Sequence, residues 1–325
     1  MKFISADQVA SHLPWNALIN KLDETFRKGV HAPSRHHHTI ERPDGEATML
    51  LMPAWEQNGY IGMKMLNVFP QNSAVGLAAI SGLYMLSEGK HGQTIACIAG
   101  NELTRRRTAA ASALAASYLA KESAETLLIV GTGQVAPMLI EAHASVRPIK
   151  RVLVWGRNSD KAQDIVSQYQ GYQGSFCRID DISAVESLEH ATIAADIVSC
   201  ATLSKQPIIK GEWLTEGTHL DLVGAFRKDM RECDGVAVNK SDVYVDTWAG
   251  AMGEAGDLHQ AADEGCFNMK QIIGDLEQLT RNEVSSRDSE KSITMFKSVG
   301  ASLEDLAAAI VLWEELNKQQ VSLKP

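Results

Sequence analysis

The stretch LLIVGTGQVAP, Leu127 to Pro137, constrains this chain's fold more than any other. An apolar run stops at two glycines one residue apart, Gly131 and Gly133. The small Ala136 follows three places later, and a helix-like pattern then begins. Glycines so placed permit a tight turn and let the backbone approach a pyrophosphate, which a helix N-terminus then holds through free N–H groups. The plainer alternative is a tight structural turn with no ligand. By itself the pattern is weak, and its surroundings decide the matter.

Those surroundings alternate. TLLIVG reads as a strand and QVAPMLIEAHASV as a helix, RVLVWG as a second strand and SDKAQDIVSQYQ as a second helix. SFCRID, DISAVESLEHA and DIVSCAT come next, followed by the strands HLDLVGA and DVYVD. Such βαβαβ alternation implies a parallel sheet with helices on both faces, here over residues 120–293. The glycine loop occupies the first turn of this unit, the place a dinucleotide requires. An NAD site usually ends its second strand with a carboxylate for the ribose. This strand ends VLVWGRNS, with Arg157 and Asn158 and no carboxylate. Arg157 can clamp a 2′-phosphate, so NADPH is expected over NADH, with NADH still possible. The competing reading is an ordinary surface arginine.

The first hundred residues differ. ATMLLMPAWEQ, GYIGMKMLNVFP and LAAISGLYMLSEG read as strands between Gly and Asn turns, which predicts an antiparallel or mixed sheet. An Ala-rich helix over Thr104 to Ala120 leads into the middle of the chain. SLEDLAAAIVLWEEL predicts an amphipathic helix with a capping-box-like start at Ser302 and Asp305 and a stripe of Leu303, Leu306, Ile310 and Trp313. It lacks a strand partner of its own, so it is expected to return to the first domain. The expected domains are 1–119 with 294–325, and 120–293, in an α/β protein: a Rossmann dinucleotide-binding domain plus an α+β domain completed by the C-terminal helix.

Composition removes other classes. The 325 residues carry a net charge of -9 with no basic tract, which disfavours nucleic acid and anionic membranes as partners. No apolar run is long enough to span a bilayer. MKFISADQVASHLPW has no signal-peptide core, so a cytoplasmic location is expected. The five cysteines are isolated, which argues against a disulfide framework and a structural zinc site.

Several charges sit awkwardly. Arg105, Arg106 and Arg107 would fill the first turn of a helix capped by Thr104, where the dipole disfavours cations. Arg107 shares a stripe with Ala111, Leu114 and Tyr118, so it points inward and needs a carboxylate, from the protein or from a ligand. Lys64 lies within the apolar MKMLNV, either desolvated for acid or anion chemistry or snorkelling from an edge strand. Arg35 precedes His36, His37 and His38. Strand alternation puts His36 and His38 on one face, but no companion ligand has matching spacing, so no metal is expected. In HLDLVGAFRKDMREC, ligands should lie beyond the strand end, placing Gly224, Ala225 and Phe226 near a nicotinamide. Asp229 and Glu232 follow; they are candidates for catalysis, but charged residues after a strand are more often solvated, which is the reading preferred here.

Taken together, GMKMLNVFPQN, LTRRRTAAASALAA, IVGTGQVA, HLDLVGAFRKDMRE, VYVDTWAGAMGEAGDL and MFKSVGASLEDLAAA carry a resemblance to the ornithine cyclodeaminase/mu-crystallin family over nearly the whole chain. The resemblance implies a Rossmann domain and a substrate domain that also builds a homodimer. It implies substrate-carboxylate contacts at Arg35, Lys64 and Arg107, and places Asp246, Ser298, Val299 and Gly300 beside the cofactor. The candidate cofactor contacts are then Thr108, Gly131, Gly133, Gln134, Val135, Arg157, Asn158, Ala201, Thr202, Val223, Gly224, Asp246, Ser298, Val299 and Gly300. Cyclodeaminases carry a water-activating aspartate where this chain has Phe226, and the family's usual threonine near the substrate is Ala79. The chain thus looks more like the family's ketimine reductases, which reduce cyclic imino acids such as Δ1-pyrroline-2-carboxylate to proline and Δ1-piperideine-2-carboxylate to pipecolate. Lys64 or a bound water would protonate the imine, and Phe226 would wall off the ring. The rival readings are an ornithine cyclodeaminase or alanine-dehydrogenase-like enzyme, and an NADPH-dependent small-ligand binding protein of the mu-crystallin type.

Overall fold

The computed structural model describes residues 1–43 and 45–322. In chain order the strands and helices are β1 (Lys2–Ile4), α1 (Ala6–His12), α2 (Trp15–Lys28), β2 (His36–Ile40), β3 (Ala47–Trp55), β4 (Ile61–Val68), β5 (Ile80–Ser87), β6 (Thr94–Ala99) and α3 (Gly100–Leu119). Then come β7 (Thr126–Val130), α4 (Ala136–His143), β8 (Arg151–Trp155), α5 (Ser159–Tyr169), β9 (Asp181–Ala184), α6 (Leu188–Ala194), β10 (Ile197–Cys200) and β11 (His219–Leu222). The last are α7 (Gly235–Lys240), β12 (Asp242–Val245), α8 (Trp248–Glu254), α9 (Gly256–Asp263), β13 (Gly274–Asp275), α10 (Leu276–Thr280), β14 (Thr294–Lys297) and α11 (Ser302–Ser322). None of the described helices is long and apolar enough to cross a membrane.

Two compact units result. The first comprises Met1–Arg107 and the segment from Ala301 onward, the second Thr108–Gly300. The first holds a six-stranded mixed sheet ordered β1-β6-β5-β4-β3-β2, in which only β1 and β6 run parallel. Strand alternation sorts its faces. Met52, Lys64, Tyr84 and Ile98 lie in register across the face that α11 covers. Phe3, Cys97, Met85, Met63 and Pro53 form a row on the opposite face. Helix α2 packs on α11 through Leu18, Ile19, Leu22 and Phe26, a helical stripe.

The second unit holds an eight-stranded sheet ordered β13-β12-β14-β11-β10-β7-β8-β9, parallel throughout. From β9 to β11 this is the 3-2-1-4-5 order of a Rossmann fold, with the reversal between β7 and β10, and β14 stands between β11 and β12. Strands β7, β10, β11, β12 and β14 are buried along nearly their whole length, as in a sheet covered on both faces.

Three details differ from the sequence expectation. Helix α3 starts at Gly100, so Arg105–Arg107 sit in its second turn, and Glu102 pairs with Arg105 at 2.5 Å and Arg106 at 3.3 Å. Helix α11 returns to the first unit as expected, but the polar side of its first half is covered too: Ser302–Leu312 is buried all round, while Glu314 and Lys318 are exposed. The units divide at 107/108 and 300/301, not at 119/120 and 293/294. The physical reason is that β14 is an inner strand of the parallel sheet, and Ser112 of α3 hydrogen-bonds the buried Asp221 of β11.

Candidate functional site

The glycine loop joins β7 to α4. Gly131 has φ +119°, and a Cβ there would meet the Ala201 carbonyl oxygen at 2.7 Å. Only glycine fits that turn. Gly133 differs: a Cβ would point into open space, as a cradle for a ligand requires. Val135 caps α4 without a side-chain hydrogen bond, Pro137 falls in the first turn, and the Ala136 amide donates to the Gly133 carbonyl. At the end of β8, Gly156 admits the Thr132 side chain, whose Cγ2 a Cβ would meet at 2.5 Å. Arg157 is exposed there, and Asn158 caps α5 by accepting from the Lys161 amide. The loop, the open position at Gly133 and the strand order fit a dinucleotide.

Beyond the reversal, the turns after β10, β11 and β14 are organised by buried charges. The Glu232 carboxylate accepts from the Thr202 amide at 2.6 Å and hydroxyl at 2.8 Å, and from the Gly224 amide at 2.7 Å. Glu232 is fully buried, against the expectation of a solvated residue, whereas Asp229 is on the surface with Arg227 and Lys205. Burial pushes its carboxyl up to about 7, Lys297 opposing and Asp257 adding to the rise. Lys297, also buried, pairs with Asp257 at 3.0 Å. Asp246 is a loop organiser: its Oδ2 accepts from Ser298 Oγ and from the amides of Val299 and Gly300. Phe226 is 37% exposed, while Ala225 beside it is buried. Thr108 and Val223 are half-buried.

In the first unit a cluster of charges lies beneath α11. Lys64 is on an inner strand and 1% exposed, so snorkelling from an edge is ruled out. Its ammonium pairs with Asp305 at 2.6 Å. The Arg107 guanidinium reaches Glu304 at 2.6 Å and Asp305 at 3.1 Å. The partner that Arg107 needed is thus found within the protein. Both carboxylates occupy the first turn of α11, where the helix dipole favours them. Burial pushes the Lys64 ammonium down to about 8; Asp305 opposes this, while Arg107 and the half-buried Arg35 push the same way. Burial works against the Asp305 charge, but Arg107 and Lys64 outweigh it and hold the carboxyl below its ordinary value. Arg35, Lys64 and Arg107 therefore share one electrostatic environment.

His36, His37 and His38 lie on the exposed edge strand β2. Among the described residues no group of three or more His, Cys, Asp and Glu side chains is arranged to hold a metal ion. The sequence reading missed Glu304, Asp305, Asp257 and Lys297. The signal that singles out Lys64, a lysine in an apolar strand, is equally present at Lys297 in ITMFK. The carboxylates of SLEDL look like an ordinary helix start.

The whole pattern has relatives. Residues 1–320 match the ornithine cyclodeaminase/mu-crystallin family. The chain belongs to that family. It is 45% identical to an uncharacterised protein of Schizosaccharomyces pombe, with 98% of each chain covered. It is 33% identical to the Δ1-pyrroline-2-carboxylate reductase of Colwellia psychrerythraea, over 97% of this chain and 99% of that one. Among solved structures, the Δ1-pyrroline-2-carboxylate reductase of Thermococcus litoralis, in complex with NADH and L-proline, is 29% identical with a TM-score of 0.88, covering 98% of both chains. An archaeal alanine dehydrogenase dimer with bound NAD has the same TM-score at 25% identity, covering 98% of this chain and 97% of that one.

Proposed function

We propose that the substrate of this nicotinamide-dependent oxidoreductase is a cyclic ketimine carboxylate: Δ1-pyrroline-2-carboxylate, reduced to L-proline, with Δ1-piperideine-2-carboxylate as a larger alternative. The observation that carries this reading is the charge cluster in the first unit. Lys64 and Arg107 pair with the buried carboxylates Glu304 and Asp305, and the charge of Arg35 acts on Lys64, so three cationic side chains gather where a substrate carboxylate could be held. Arg35 and Arg107 orient the carboxylate, which fixes the imine carbon beside it. Lys64, with its ammonium lowered to about 8, is a proton donor poised near neutral pH for the imine nitrogen. Asp305 holds that ammonium in place. The nicotinamide, when bound, supplies the hydride. Phe226 offers no group that activates water, so reduction is favoured over hydrolytic deamination. The named reductases among the relatives support the reading.

Arg157, with no carboxylate at the end of β8, supports NADPH as the preferred cofactor. A second copy of the chain is the proposed macromolecular partner. It would cover the open sheet face, where Phe3 is 62% and Met85 38% exposed in one apolar row; the alanine dehydrogenase of like fold is a dimer.

The test is NADPH oxidation with freshly made Δ1-pyrroline-2-carboxylate, beside Δ1-pyrroline-5-carboxylate and pyruvate plus ammonia. Rapid oxidation with the first alone, yielding proline, is expected. Oxidation mainly with pyruvate and ammonia would make it an alanine dehydrogenase. Ammonia from ornithine would mean that Phe226 does not block deamination. NADPH binding with no turnover of any imine would leave a binding protein.

A further inference from the structure

We propose that Glu232 is a positioning residue for the nicotinamide end of the cofactor, its buried carboxylate locking the turns after β10 and β11 into one rigid surface. The proposal rests on the dinucleotide reading of the second unit. In this strand order the β7-β8-β9 half carries the adenosine side, and β10 and β11, beyond the reversal, carry the nicotinamide side. Thr202 and Gly224 stand at the carboxyl ends of those two strands.

Three donors converge on Glu232, two from Thr202 and one from Gly224, so one side chain ties together two separate turns. The turns touch: a Cβ on Gly224 would meet the Thr202 carbonyl oxygen at 1.9 Å and Glu232 Oε1 at 2.5 Å. Glu232 is itself held from behind. Its amide donates to Asp257 Oδ1 at 2.6 Å, and its carbonyl accepts from the amides of Ile208 and Ile209. Asp257 pairs with Lys297, whose ammonium also reaches the Leu222 carbonyl at the end of β11. An apolar side chain would fill the space without the cost of burying a charge. Only a carboxylate accepts from all three donors at once. An amide accepts through one atom and sets an NH2 against a donor at the other.

The test compares ligands that differ only at the nicotinamide. Affinities for NADPH and for 2′-phospho-ADP-ribose, and for NADH and ADP-ribose, are measured by calorimetry on the wild type, Glu232→Gln and Thr202→Val, with thermal melts alongside. In Glu232→Gln the dinucleotides should bind about tenfold more weakly, while the fragments lacking nicotinamide stay within about twofold. Thr202→Val removes one donor and keeps the shape, so it should give the same pattern at about threefold; it carries the test if Glu232→Gln does not fold. Equal losses for dinucleotide and fragment would reduce Glu232 to a general structural role and overturn the proposal. So would unchanged dinucleotide affinity in the folded variants. A wild type that binds the fragments but not the dinucleotides would overturn it too. Failure to bind either would remove the dinucleotide reading itself.

Discussion

Lys64 shows how much one residue can reveal. A lysine in an apolar strand marks a desolvated cation, and the structure buries it against Asp305. Its ammonium, lowered to about 8, exists below that pH and is lost above it. If Lys64 is the proton donor, kcat/KM should fall about tenfold per pH unit on the alkaline side. Asp305 holds the ammonium up, so Asp305→Asn should move that limb to lower pH. A limb that stays in place would assign it to another group. Glu232 yields a stability prediction. Its carboxyl is raised from 4.5 to about 7, with Lys297 of β14 and Asp257 of α9 facing it. Between those values the native state holds a proton that the unfolded chain has released. Stability should therefore decline as pH rises from about 4.5 to about 7 and then level off. Denaturant titrations across that range should show a shallower slope in Glu232→Gln than in the wild type.

At the scale of elements, the strand–glycine–helix unit was legible because its cues are local. An apolar run, two glycines and a small residue specify a turn whatever surrounds them. The two glycines nonetheless do different work. Gly131→Ala forces a side chain into φ +119° against the Ala201 carbonyl, at a cost of roughly 1–3 kcal/mol. It should lower both the melting temperature and nucleotide affinity. Gly133→Ala meets no neighbour, so stability should change by about 0.5 kcal/mol or less while nucleotide binding is lost. Equal nucleotide affinity in Gly133→Ala and wild type would place the phosphates elsewhere. Helix α11 returns to the first unit with its i, i+3, i+7 stripe, but Ser302–Leu312 is buried on every side while Glu314 and Lys318 are exposed. Periodicity reports the most apolar face, not whether the polar face is also covered.

For the whole molecule, the open face of the six-stranded sheet matters most. Met63 and Met85 are register neighbours on it, and neither is fully buried. Met63→Glu with Met85→Glu should leave the monomer folded but place charge in the proposed interface between copies. Light scattering should then report a monomer for the double variant and the proposed dimer for the wild type. A double variant that remains dimeric would put the second copy on another face.

The fold class and the nucleotide loop follow from sequence alone, because hydrophobic period and turn chemistry act over a few residues. Lys64 and Arg107 stand out for the same reason, because an apolar strand or stripe makes a charge conspicuous, whereas Arg35, in PSRHHHTI, is singled out by the family resemblance. The partners of Lys64 and Arg107 do not stand out. Glu304 and Asp305 meet Arg107 across 197 and 198 residues of chain, and Glu232 meets Thr202 across 30. Which carboxylate is buried against which cation depends on packing that brings distant segments together, and only the tertiary structure decides it.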